Sequence, residues 1–286
     1  MKYGVIDIGS NSVRLMLNEN GKTLYKKIKT TRLAENMSND GCLSLEAVER
    51  TVLAVSFFVN EAKEQFVDKI FVFATAAVRK AKNAPYFVSY LKDLCGVLVD
   101  VLSGEDEAKA GYLGALLSGD GAVLDVGGAS TELSVVKKGN AIYSKSIYLG
   151  AVTATEKCGQ DLDKVTEFTK EHIMQFNSVD CENLVAIGGT ATTIASMLLQ
   201  LKVYNPEKVD NFIILYDELK NLQAKVYSLS VEERKKLIGL QPERAKVIGS
   251  GITIIVQIME RFNLRHISVS ESDNLEGYLR LKGEIL

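Results

Sequence analysis

The chain is poor in the residue types on which several reaction classes depend. Histidine occurs only at His172, in a polar helical stretch, and at His266, just before a strand. Neither lies near a glycine-rich loop, so a Ser-His-Asp triad or a His-rich metal site has too few imidazoles. The four cysteines, Cys42, Cys95, Cys158 and Cys181, stand far apart without a CxxC pair, which excludes a disulfide frame or a zinc site. Three prolines and no low-complexity tract leave no place for a long linker. Charge of one sign is lacking as well: 34 Lys plus Arg against 36 Asp plus Glu leave a net −2. That is no field for holding nucleic acid or an anionic membrane. The opening MKYGVIDIG is broken by charge and glycine, so it is neither a signal peptide nor a spanning helix, and the cytoplasm is the expected location. Acid–base chemistry must therefore come from carboxylates, and an anionic ligand must be held by local geometry.

What the chain does have is a repeated phrase. VIDIGSNSVRL (Val5 to Leu15) returns as VLDVGGASTEL (Val123 to Leu133), and subtracting 7 from 125 sets the copies 118 residues apart without a gap. Each copy reads as a buried strand ending in Asp, a turn of small residues, and an alternating second strand followed by a third. A strand after the turn excludes a dinucleotide-binding loop, which must open a helix, and no GK[ST] is present for a Walker loop. Helical spacing covers Ser44 to Phe66 and the stretch APYFVSYLKDLC, with Pro85 in its first turn. KIFVFAT and VLVDVL read as strands, and SGEDEAKAGYLGALLSG as a helix capped by Ser103. The second half repeats the order, with LVAIGG feeding the helix TATTIASMLLQL, further helices from Asp217 to Phe262, the strand HISVS and a closing helix from Asn274. With 286 residues, 47% of them hydrophobic, this predicts a duplicated α/β protein. The expected domains are 1–118 and 119–286, joined by a tight hinge at Ser118 to Gly121, with the final helix packing back on the first. The cleft between them is the natural place for a ligand.

The repeated loops suit phosphate. Glycines at Gly9, Gly127 and Gly128 let successive amides point one way, and Ser12 and Ser130 add hydroxyl donors. The full loops are Gly9, Ser10, Asn11 and Ser12, and Gly127, Gly128, Ala129 and Ser130. Asp7 and Asp125, each just before its loop, with Glu132 two residues beyond Ser130, offer carboxylates to Mg²⁺ or Mn²⁺. Plain turn chemistry, with Asp and Gly in local roles, competes with this reading, but two copies in register weigh against it. Gly189 and Thr190 in GGT, between a strand and a helix, form a third candidate anion site; an ordinary turn with Thr190 as cap is the alternative. SGEDEA places Glu105, Asp106 and Glu107 in a helix's first turn, where acids suit the dipole and Ser103 with Asp106 resembles a capping box. Three acids exceed what a cap needs, so one is a candidate general base. Arg79, read as the end of a buried strand, is either a phosphate ligand or solvated. For Arg14, alternating on its strand, a solvated side chain is the simpler reading.

Together DIGSNSVRL (7–15), TAAVR (75–79), SGEDEA (103–108), DVGGASTE (125–132), GGT (188–190), EER (232–234) and PERA (242–245) resemble the Ppx/GppA phosphatases. These are the exopolyphosphatases and guanosine pentaphosphate phosphohydrolases of the ribonuclease H-like actin/Hsp70/sugar-kinase superfold. The resemblance spans nearly the whole chain. It implies a Mg²⁺-dependent (or Mn²⁺-dependent) hydrolase of the terminal phosphate of polyphosphate or of pppGpp. It places the base on Glu107, the metal-side carboxylates on Asp7, Asp125 and Glu132, and a phosphate-holding arginine on Arg79. It also implies a homodimer, a short form without the extra helical domains of long members, and neither nucleic acid nor membrane as partner. Other members of the superfold are ATP-dependent kinases, against which SGEDEA and TAAVR speak. The chain departs from the family pattern at Ala129, where a third glycine is usual, and at SESDNLEG (270–277), where the family favours SDGGLREG. Glu271 takes an Asp position there and Leu275 an Arg position. Those departures favour a non-catalytic polyphosphate or nucleotide sensor; a retained Glu107 opposes it, because a pure binder needs no base.

Overall fold

A computed structural model of the protein describes residues 1–286 except 36, 38–40, 116–119, 139, 182 and 286. Contacts divide the chain into two units, Met1–Glu107 with Tyr278–Leu286, and Ala108–Gly277. The division falls inside two helices, Gly104–Ala115 and Asn274–Leu281. Ser118 and Gly119, at the expected hinge and boundary, lie outside the described residues.

The first unit is built on one sheet of β1 (Lys2–Ile8), β2 (Ser12–Glu19), β3 (Lys22–Thr30), β4 (Lys69–Ala74) and β5 (Val99–Val101), in the order β3-β2-β1-β4-β5. β1, β2 and β3 form an antiparallel meander, while β4 and β5 join parallel to β1. Six consecutive buried residues in β1 suit a strand covered on both faces. β3, at the edge, carries Lys22, Lys26, Lys27 and Lys29 and leaves residues exposed along its length, which discourages pairing with another chain. Helix Leu45–Glu64 packs Val48, Val52, Val55, Phe58 and Val59 inward and starts where the Ser44 hydroxyl accepts from the Ala47 amide at 3.3 Å. Tyr278, in the last helix, stacks on Phe73 at 4.6 Å and donates to Asp100 at 3.0 Å.

The second unit holds β6 (Gly121–Val126), β7 (Thr131–Lys137), β8 (Asn140–Ile147), β9 (Leu184–Ile187), β10 (Ile213–Leu215) and β11 (His266–Val269). Its order is β10-β11-β9-β6-β7-β8. From the other end, β8-β7-β6-β9-β11 has the order and strand senses of the first sheet, with β10 added antiparallel. The duplication extends to irregularities: the pairing slips between Leu17 and Asn18 in β2 and between Val135 and Val136 in β7. Those positions differ by the same 118 residues as the two aspartates. Helix Ile248–Arg261, buried at every position from Ile248 to Met259, runs through this unit's core among helices Ala151–Cys158, Leu162–Ile173, Gly188–Leu198 and Tyr216–Tyr227. Most of its buried residues are apolar, and a helix buried on all sides needs such an all-round cover.

Two local expectations are corrected. Arg79 does not end a strand: β4 stops at Ala74 and Ala76–Lys80 is a short helix. Thr190 does not cap the helix Gly188–Leu198, whose N-cap is Ile187; its hydroxyl donates instead to the Val126 carbonyl at 2.7 Å, tying the helix to the end of β6.

Candidate active site

The two repeated loops are closed by the same hydrogen bond and are supported differently. The Gly9 amide donates to the Ser12 carbonyl at 3.0 Å, and the Gly127 amide donates to the Ser130 carbonyl at 2.9 Å. In the first loop the Ser10 carbonyl accepts from Ala34, and the Asn11 carbonyl from Thr31 and Arg32. In the second, the Gly127 carbonyl accepts from Ala151, and the Gly128 carbonyl from Val152 and Thr153. Gly150 allows that approach, since a Cβ there would stand 2.4 Å from the Gly128 carbonyl group. With the carbonyls turned to their supports, no described group accepts from the amides of Ser10, Asn11, Gly128 or Ala129. Loops of this kind expose donors suited to phosphate oxygens. Ala129 is buried and makes the same turn as its counterpart Asn11, so a third glycine is not needed for it.

Asp7 and Asp125 hold equivalent places at the ends of β1 and β6, yet their cross-strand neighbours differ. Asp7 pairs in register with Arg14, and Asp125 with Glu132. Opposed residues of an antiparallel pair share one face. Arg14 grips Asp7 Oδ2 through Nη2 at 2.6 Å and Nε at 2.9 Å, which corrects the reading of Arg14 as solvated. The second hairpin instead sets two buried carboxylates side by side, with Glu132 Oε1 accepting from the Ser146 hydroxyl at 2.6 Å. A Mg²⁺ ion takes one or two carboxylates and keeps several waters or phosphate oxygens, so Asp125 with Glu132 fits it as a donor set. No group of three His, Cys, Asp or Glu side chains comes together among the described residues. Asp125 also lies at the N-terminus of helix Gly188–Leu198, where a Cβ on Gly188 (φ +78°) would stand 2.5 Å from its Oδ1. Gly188 therefore leaves the space that the carboxylate occupies.

Burial sorts the three acids of SGEDEA. Glu105 and Asp106 are exposed, and Asp106 serves the cap: its amide donates to the Ser103 hydroxyl at 3.0 Å, and that hydroxyl donates back to its carboxylate at 2.8 Å. Glu107 is buried, and its Oε2 accepts from Arg79 Nη1 at 2.8 Å. Burial pushes the Glu107 pKa above the usual glutamate value; the Arg79 charge and hydrogen bond oppose this, and the charge of Asp7 adds to it. Thr75 also hydrogen-bonds Glu107. Arg79 is itself held, donating to the Leu102 carbonyl at 2.8 Å as well. Asp7, Arg14, Thr75, Arg79 and Glu107 thus form one charged network in the first unit.

Residue-by-residue reasoning gave no role to two side chains of the second unit. Arg244, from PERA, lies so close to GGT that a Cβ on Gly189 would meet its guanidinium at 2.4 Å. Its motif was visible in the sequence, but nothing local tied it to Gly189. Asn274 Nδ2 donates to Asp125 Oδ2 at 2.8 Å across 149 residues, and no periodicity predicts such a contact. Arg234 of EER is structural: it is buried and donates to the Val226 carbonyl at 2.6 Å, closing the end of helix Tyr216–Tyr227. Leu275, in the slot where arginine is usual, is fully buried. All four cysteines are free thiols. Among the described residues no helix is long and apolar enough to cross a membrane.

The chain is similar to known proteins over nearly its whole length. The bifunctional 3-dehydroquinate synthase/phosphatase of Fusobacterium nucleatum is 30% identical, matching 95% of this chain and 45% of that protein. A guanosine-5'-triphosphate,3'-diphosphate pyrophosphatase of Photobacterium profundum is 29% identical over 96% of this chain and 58% of its own length. The chain thus spans about half the length of the curated relatives it matches. Among solved structures, the Ppx/GppA protein of Aquifex aeolicus superposes with a TM-score of 0.82 at 29% identity, covering 99% of this chain and 98% of that one. An exopolyphosphatase-like protein superposes at 0.93 with 24% identity over 99% of both chains, a likeness of fold. The duplicated α/β architecture, two mixed sheets with helices, is therefore the fold of this chain, shared with the Ppx/GppA structure. A profile of the Ppx/GppA phosphatase family matches residues 12–280, and the chain belongs to that family.

Proposed function

We propose that the protein is a Mg²⁺-dependent phosphoanhydride hydrolase that removes the terminal phosphoryl group from a linear polyanion, inorganic polyphosphate or pppGpp. The observation that carries this reading is Glu107, a buried carboxylate with a raised pKa, held by Arg79 in a chain of the phosphatase family. A pure sensor has no use for such a group. The relative from Photobacterium profundum, named for guanosine-5'-triphosphate,3'-diphosphate, supports pppGpp as one substrate.

In this reading the amides of Ser10, Asn11, Gly128 and Ala129, with the hydroxyls of Ser12 and Ser130, bind phosphate oxygens. The start of helix Gly188–Leu198, with Gly189, Thr190 and Arg244 beside it, takes further phosphate or the nucleoside. Asp125 and Glu132 would hold Mg²⁺ or Mn²⁺, whose contribution when bound is to neutralise phosphate charge. Arg14 holds Asp7 in place beside the base. Arg79 orients Glu107, which accepts a proton from water as the water oxygen attacks the terminal phosphorus. The bond from that phosphorus to the bridging oxygen breaks, and the shortened polyanion leaves with the negative charge. Positioning and charge compensation carry most of such a reaction.

Phosphate release is measured from pppGpp and from polyphosphate, with Mg²⁺ and after chelation, for the parent and for Glu107→Gln. A base of this kind contributes about 10²–10⁴-fold, so the variant is expected to lose turnover on that scale while still binding substrate. Equal rates in parent and variant would remove the mechanism.

A further inference from the structure

Asn274 opens the last helix, and its start is fixed tightly. Asp273 Oδ1 accepts from the Leu275 amide at 2.9 Å, and Glu276 Oε2 accepts from the Asp273 amide at 3.1 Å. The Asp273 side chain thus caps the second helical amide while Glu276 reaches back to the Asp273 amide, which leaves the first helical residue little freedom. The turn is also pressed against helix Gly104–Ala115 at three glycines. A Cβ on Gly277 would stand 1.7 Å from the Ala110 carbonyl oxygen, one on Gly114 2.1 Å from the Asp273 carbonyl oxygen, and one on Gly111 3.1 Å from Asn274 Oδ1. The Asn274 side chain lies beside Gly111, and its nitrogen meets Asp125 Oδ2 at 2.8 Å in a buried bond.

The amide is poorly served in return. Asn274 Oδ1 is buried and accepts from no described group. An unsatisfied buried carbonyl is a cost to folding, so a residue chosen for packing alone would be apolar. Among the described residues, the hydrogen bond this side chain makes is the one to Asp125.

We propose that Asn274 is a positioning residue for Asp125. Its amide occupies Oδ2 and fixes the carboxylate so that Oδ1 is directed to the turn at Gly188, the orientation in which Asp125 serves a divalent ion. The proposal rests on the reading of Asp125 as a metal-side carboxylate. Partners that hold a ligating group in place are worth about 10–100-fold in metal affinity.

The test is Mn²⁺ binding to the purified protein, read by the paramagnetic resonance of free Mn²⁺, for the parent, Asn274→Leu, Asn274→Ala and Asp125→Asn. Thermal unfolding of each, and the Mg²⁺ dependence of phosphate release, are followed alongside. The expected result is a tenfold or greater rise in Kd for both Asn274 variants, each still unfolding in one cooperative transition, with the midpoint of Asn274→Leu lowered because buried Asp125 Oδ2 loses its donor. Turnover should return toward the parent's as Mg²⁺ is raised. Parent-like Mn²⁺ binding by either folded Asn274 variant, with binding abolished in Asp125→Asn, overturns the positioning role and leaves the metal reading standing. Unchanged binding in Asp125→Asn overturns the metal reading and the proposal with it.

Discussion

Replacing Arg79 with methionine keeps its apolar stem and removes its charge, and two losses follow. Arg79 donates to Glu107 and to the Leu102 carbonyl, each at 2.8 Å. Removing one partner from a fully buried pair costs about 3–5 kcal/mol. Here the Glu107 side chain keeps only 7% of its exposure but that of Arg79 keeps 21%, so about 2 kcal/mol is the reasonable share. The lost bond to Leu102 adds about 1 kcal/mol, for a total of about 3 kcal/mol. The first part depends on pH in a definite sense. A carboxyl whose folded pKa is raised contributes stability that is fully present below its unfolded pKa and is lost as pH rises through the folded value. Burial raises Glu107, and Arg79 opposes the rise, so its removal pushes the folded pKa higher and deepens the loss toward alkaline pH. Urea unfolding followed by circular dichroism at about pH 5 and about pH 8.5 should show Arg79→Met costing about 1 kcal/mol in acid and about 3 kcal/mol in base. Adding Glu107→Gln should recover the pH-dependent part and leave about 1 kcal/mol. A loss equal at both pH values, or one that Glu107→Gln fails to reduce, would refute the account of Glu107 as a buried charge held by Arg79.

Two further substitutions probe the last helix. Gly277→Ala places a methyl 1.7 Å from the Ala110 carbonyl oxygen, backbone that cannot yield cheaply, so a loss of roughly 3 kcal/mol or more in chemical denaturation is expected. Parent-like stability would mean that the two helices lie farther apart than described. Leu275→Arg, which restores the family's arginine, should fail to gain activity and lose several kcal/mol, because Leu275 is fully buried and the guanidinium would find itself in the core. Normal folding with faster phosphate release would show that the slot opens to substrate.

Elements and loops were readable from the sequence because they rest on local signals. An unbroken apolar run gives β1, alternation gives β2, Ser44 and Pro85 mark helix starts, and the 118-residue offset predicts that whatever the first loop does the second repeats. Glu107 could be singled out among three adjacent acids only by resemblance, since burial, not spacing, separates it from Glu105 and Asp106. TAAVR read as the end of a strand because apolar runs of that length do not distinguish strand from helix. Asn274 on Asp125 and Arg244 on Gly189 were out of reach, because each joins segments that only the fold brings together. Arg14 is different: its pairing with Asp7 follows from hairpin register, and the alternation that suggested a solvated side chain carried that information.

That pairing bears on how a duplicated scaffold acquires one chemistry. Arg14 and Glu132 are equivalent under the 118-residue offset, and each faces the aspartate of its own hairpin. In the first copy the pair is an ion pair, which suits the base proposed at Glu107: an uncompensated carboxylate beside Glu107 would raise its pKa further. In the second copy the pair is two acids, whose repulsion a divalent ion would relieve. Strand pairing, the hydrogen bond that closes each loop and even the strand irregularities are the same in both copies, while this position changes sign. Exchange of that position tests the idea directly. Arg14→Glu should both weaken turnover and shift its acidic limb to higher pH, whereas Glu132→Arg should abolish Mn²⁺ binding without moving the Glu107 titration; the reverse pattern would assign the metal to the first hairpin.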